Sequence, residues 1–188
     1  MKELNYDAKG TCLFLKGDSY RQIGDFAQAR AYLELAIREY PKAQFTDPRY
    51  GDIRVRRECD VAVLLVKEKD RYAFPEKSRD YTALGWRYFN KNKPDTAIAM
   101  AEACIARFRD TAVKQQSEHE REYGTGWPVL KTDPNQNQEI LDRFWALYDV
   151  GTCFFIVGQV YEKQADLASE NQRLLYEKAI DCYDEVIR

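Results

Sequence analysis

Two stretches decide the fold. Residues 13–41 read L-F-L-K-G-D-S-Y-R-Q-I-G-D-F-A-Q-A-R-A-Y-L-E-L-A-I-R-E-Y-P, and residues 81–108 read Y-T-A-L-G-W-R-Y-F-N-K-N-K-P-D-T-A-I-A-M-A-E-A-C-I-A-R-F. Gly17 aligns with Gly85, Tyr20 with Tyr88, Ala29 with Ala97 and Ile37 with Ile105, always 68 residues apart. The glycine lets two helices of a pair approach closely. Gly24 ends the first helix, Asp25 caps the second with Gln28 three residues on, and Pro41 stops it. Ala29, Leu33, Ala36 and Ile37 make one helical stripe. In the second stretch Asn90, Lys91 and Asn92 turn the chain, and Pro94 suits a first helical turn, where its missing N–H costs nothing.

An offset of 68 residues is twice the period of about 34 that marks tetratricopeptide repeats, and the chain resembles that family. The resemblance implies an all-α fold of antiparallel helix pairs in a short right-handed superhelical array. One domain over residues 1–188 is expected, with repeats at about 10–43, 78–111 and, extended, 137–188. In the third, Phe154, Val157, Gly158 and Tyr161 keep the spacing. Tyr161 to Ala179 spans 18 residues against 9 for Tyr20 to Ala29, an insertion expected as extra helical turns around Ser169 to Gln172.

The remainder is less regular. From Asp52 to Lys69 the apolar spacing predicts one helix, after a turn at Asp47-Pro48. Residues 109–136 read as the least regular part: a short exposed polar helix around His119, a loop from Tyr123 to Pro128, and a turn-rich stretch from Lys131 to Gln138 with Asn135 or Asn137 as a cap. A single apolar-periodic helix is expected from Glu139 to Leu167. The abrupt end at Val186-Ile187-Arg188 suggests a domain excised from a longer protein, since repeat arrays need polar terminal caps.

Composition excludes several functions. Twenty-nine basic against 31 acidic residues leave a net charge of −2, without the footprint of a nucleic-acid binder. Apolar runs such as Val61 to Val66 are far short of the ~20 residues that span a bilayer. The five cysteines, Cys12, Cys59, Cys104, Cys153 and Cys182, form no C-x-x-C pair and read as reduced thiols in a cytoplasmic protein. His119 is the one histidine, flanked by nothing that suggests a cleft, and no phosphate-binding loop is present. No catalytic residue, metal site or cofactor is expected.

The resemblance implies a binding scaffold or adaptor. First helices of such repeats line a concave groove, which carries over to Phe14, Asp18 and Arg21, to Thr82, Trp86, Phe89 and Asn90, and to Phe155, Gln159, Glu162 and Lys163. Trp86 and Phe89 are the expected anchors for a peptide or partner helix. Phe14 and Asp18 stand where the carboxylate clamp of chaperone-binding members begins, so that clamp is absent. The alternatives are a structural or oligomerisation segment, self-associating through the C-terminal helix, and a non-catalytic accessory domain of a larger enzyme.

Overall fold

A computed structural model describes residues 2–47, 51–70, 74–124 and 134–187. The elements run α1 (Lys2–Ile23), α2 (Phe26–Glu39), β1 (Gln44–Asp47), β2 (Gly51–Arg54), α3 (Val55–Lys67), α4 (Ser78–Asn90), α5 (Pro94–Tyr123), α6 (Pro134–Arg143), α7 (Trp145–Leu167) and α8 (Gln172–Ile187). They form two compact units, Met1–Phe74 and Pro75–Arg188. The fold is all-α, with one short hairpin among the described residues.

In the first unit α1 and α2 pair as the sequence predicts. Gly24 adopts φ +90°, a left-handed conformation that only glycine takes without strain, and it turns the chain between the two helices. The Asp25 carboxylate accepts from the Gln28 amide at 3.1 Å and caps α2. Ala29, Leu33 and Ala36 are fully buried. Gly17 lies against Leu33, where a Cβ would fall 2.7 Å from Leu33 Cγ.

Residues 44–54 depart from expectation. They form an antiparallel hairpin with Phe45 opposite Ile53, so the predicted helix begins at Val55 rather than Asp52. Phe45 and Ile53 both turn inward, and a cross-strand apolar pair outweighs the helical periodicity that the charged neighbours suggest. Pro48 lies outside the described residues. Helix α3 then lays Val55, Cys59, Ala62 and Val66 over Phe14, Ala29, Leu33 and Ala36. Burying a side chain such as Leu33 in this layer contributes about 2 kcal/mol.

In the second unit Asn92 takes φ +55° in the turn after α4, and Pro94 opens α5. Helix α5 then runs for 30 residues to Tyr123, so residues 109–123 are not irregular as expected. No glycine or proline intervenes before Gly124, and Ala101, Cys104, Phe108, Ala112 and His119 continue one buried stripe. The predicted Tyr123–Pro128 loop falls mostly outside the described residues.

The expected single helix from Glu139 is broken at Phe144. Residues 134–143 form α6, with Asn135 and Asn137 inside it rather than capping it, and α7 starts at Trp145. The break is held from α5, where Gln115 Oε1 accepts from the Ala146 and Leu147 amides at 2.9 and 3.1 Å. The nine-residue insertion of the third pair is three residues on α7, two in the connection and four at the start of α8. Helical turns are therefore added on both sides of Ser169 to Asn171, which stays non-helical with Asn171 at φ +60°.

Candidate functional site

Three helices carry an equivalent line of residues, counted from the close-approach glycines Gly17, Gly85 and Gly158. In α1 it is Phe14, Asp18 and Arg21; in α4 it is Thr82, Trp86 and Phe89; in α7 it is Phe155, Gln159 and Glu162. Cover decreases along the series.

In the first unit the line is interior, and the three residues offer no open groove. Phe14 meets Phe74 edge-on at 5.2 Å and packs within the α3 layer. Arg21 is fully buried. Its guanidinium donates from Nε to Asp18 Oδ1 at 2.8 Å and from Nη1 to the Asp70 carbonyl at 2.8 Å. These groups tie α1 to the chain that follows α3, and a buried pair with such partners is structural.

In α4 the line is covered by α7. Thr82 is buried and donates to the Arg79 carbonyl at 2.8 Å. Trp86 is half-buried, 5.5 Å from Phe89 and 6.0 Å from Phe155 between ring centroids. Helix α7 therefore lies against Trp86, through Phe155. Gly85 admits Ile156, whose Cδ1 would lie 3.1 Å from an added Cβ. Lys163 Nζ stands 5.3 Å from the Phe89 ring centroid. Asn90 is exposed at the end of α4. Beside it, Phe89, Asn92, Pro94, Val160, Lys163 and Leu167 line an open cleft of about 160 Å³.

On α7 the same line is open. Phe155 is 41 % exposed, and Gln159 and Glu162 are half-buried. The second helix of this pair adds to the surface. Tyr183 packs 5.8 Å from Phe155, so Phe89, Trp86, Phe155 and Tyr183 form a continuous run of rings over α4, α7 and α8. Tyr183 Oη donates to Glu162 at 2.7 Å, and Gln159 Nε2 donates to Tyr183 Oη at 2.7 Å. Burial, then the Glu162 bond, pushes the Tyr183 hydroxyl up to about 12, so it remains a donor. Ile180, at the position of solvated Arg30 in the first pair, is 56 % exposed.

The histidine departs from expectation. His119 is only 4 % exposed, wedged between Tyr123 at 5.1 Å and Phe144 at 5.0 Å, and it belongs to an aromatic core. No group of three or more His, Cys, Asp or Glu residues placed to hold a metal exists among the described residues. The five cysteines are free thiols; Cys12 is exposed, Cys182 half-buried, and Cys59, Cys104 and Cys153 are interior. Hydrogen bonding to Cys104, then burial, raises the Cys153 thiol well above its ordinary value, which makes it inert rather than nucleophilic. Among the described residues, no helix is long and apolar enough to cross a membrane.

Paired helices closed by a small residue, the first two pairs covered by a later helix, define a helical-repeat protein. Residues 11–43, which hold the second half of α1 and all of α2, match the tetratricopeptide repeat family, and that helix pair is a tetratricopeptide repeat. No curated protein and no solved structure matches the chain. Such repeats generally mediate protein–protein interaction.

The sequence groups these residues on one line of each helix and reads that line as groove. What it misses is that α3 and α7 cover the first two instances. The available signal is the stripe Val55, Cys59, Ala62, Val66, whose spacing demands a buried partner face. Exposed Ile180 and Tyr176 also escape notice, because their spacing in α8 is that of core periodicity.

Proposed function

We propose that the chain is a non-catalytic interaction scaffold whose partner contact is the open face of the α7–α8 pair. Phe155, Gln159 and Glu162 supply it from α7, and Tyr176, Ile180 and Tyr183 from α8. Trp86 and Phe89 back it, and Phe89 lines the adjoining cleft. One observation carries the reading: the residues equivalent to Phe155 lie under another helix in both earlier pairs, whereas Phe155 itself is open and meets Tyr183 of α8, the helix that carries exposed Ile180. A helix laid on this face would bury large aromatic rings, the residue class that anchors interfaces.

Helix-forming peptides selected for binding to the chain, without bias in charge, test this. Binders should lose at least ~2 kcal/mol of affinity, roughly 30-fold, against Ile180→Asp or Phe155→Ala, with thermal stability nearly retained. Binders indifferent to both changes would place the contact elsewhere and refute the reading.

A further inference from the structure

The rim of this face specifies the partner's charge, an inference that rests on the reading above. Helix α7 contributes Glu162 and Asp166 along the same exposed line as Phe155. Asp166 accepts from Tyr176 Oη at 2.5 Å, and Glu162 accepts from Tyr183 Oη, so both carboxylates are held at the edge of the apolar strip. On α8, Glu177 and Asp184 flank Ile180 on the side away from α7, one turn before and one turn after it. Arg173 is the cation on this side, and Glu177 already binds it at 2.8 Å. Among the described residues, these four carboxylates against the one guanidinium of Arg173 leave three negative charges around the strip. Two further described cations of this pair stand over rings away from the outer edge of α8. Lys163 lies over Phe89 of α4, and Lys178 lies over Tyr161, 5.2 Å from its ring centroid.

We infer that the α7–α8 face takes a basic amphipathic helix, with an apolar stripe for Phe155, Ile180 and Tyr176 and lysines or arginines on both flanks. An apolar strip between two acidic edges complements that pattern and repels an acidic helix. The same argument disfavours a second copy of the chain. A two-fold contact through α8 would set Asp184 and Glu177 of one copy among the carboxylates of the other.

Two synthetic helices test the inference: a Leu/Lys amphipathic peptide of about 18 residues, long enough to span α8, and its Leu/Glu counterpart. Each is titrated into the full chain by fluorescence anisotropy at low and physiological salt, with circular dichroism on every variant. The Lys peptide should bind at least about tenfold more tightly than the Glu peptide, and the doubly reversed Glu177→Lys, Asp184→Lys protein should invert or abolish that ratio. Ile180→Asp should weaken the Lys peptide at least about tenfold. Equal affinity for both peptides, each lost in Ile180→Asp, would overturn the charge assignment and leave the face standing. Lys-peptide binding that survives Ile180→Asp unchanged would be general adsorption and would overturn both. So would self-association by light scattering that Ile180→Asp abolishes, because the face would then belong to a second copy.

Discussion

The ring of Tyr183 on α8 closes over Gly158 on α7, so that a Cβ on the glycine would lie 2.8 Å from Tyr183 Cδ1. Gly17 stands in the same relation to Leu33, whereas Gly85 meets the Ala97 carbonyl from α5 and admits Ile156 from α7 instead. Gly158→Ala and Gly17→Ala should therefore each cost about 1–3 kcal/mol by overpacking, partly offset by the helix propensity of alanine. Gly85→Ala should cost less, since its nearest neighbour is the end of an isoleucine side chain. Urea denaturation of the three variants checks the order. A Gly158→Ala protein as stable as wild type would mean that Tyr183 does not hold this position.

Gln115 on α5 acts as the N-terminal cap of α7, a helix remote from it in the chain. Its Oε1 serves two otherwise unpaired amides of α7, and its Nε2 donates to the Arg143 carbonyl at 3.3 Å. Gln115→Leu should cost about 1–2 kcal/mol, the usual loss when a cap is removed. Gln115→Glu keeps the acceptor and places a negative charge at a helix N-terminus, so it should recover most of that loss. Thermal melts of the two variants, compared at equal pH, decide whether the acceptor or merely the bulk of the side chain matters.

Legibility in the sequence follows the range of the physics. Gly17 with Leu33, Gly24 with Asp25, and Asn92 with Pro94 act within one helix pair, and their spacing alone discloses the pairs. Gln115 capping α7, Phe45 facing Ile53 and α3 covering Phe14 are long-range, and no local pattern announces them. The site suffers most from this. Phe14 and Phe155 occupy one repeat position, three residues before the close-approach glycine, and local sequence does not distinguish them. Only the helix that follows each pair decides which is buried.

Thiol chemistry supplies a pH-dependent test. Burial pushes Cys59 up to about 12, from an ordinary value of 9.0. The folded state thus holds this proton more tightly than the unfolded state. Its contribution to stability is fully present below pH 9.0 and is lost as pH rises towards about 12. Urea midpoints should fall over that alkaline window, and Cys59→Ala, less stable at neutral pH, should show a shallower decline. In native protein at mildly alkaline pH, Cys12 should react first with a thiol reagent and Cys182 more slowly. Cys59, Cys104 and Cys153 should react only on unfolding. Rapid native labelling of Cys153 would contradict its burial.

The gradient of cover along the equivalent line predicts a gradient of mutational cost. Arg21→Ala removes a buried guanidinium and leaves the Asp18 carboxylate interior, with Gln22 Nε2 as one donor to it at 2.8 Å. That should cost about 3 kcal/mol or more. Trp86→Ala opens a cavity between Phe89 and Phe155 and should cost about 3 kcal/mol, the low end for a core aromatic, because the ring is only half-buried. Phe155→Ala gives up a partly exposed ring and should cost about 1 kcal/mol. Each variant is compared with wild type in the denaturation transition of the unit that carries it, since two compact units need not unfold together. Phe155 is the position where stability and binding separate. If its truncation cost as much as that of Trp86, the α7 line would be as covered as the α4 line, and the α7–α8 face would have no room for a partner.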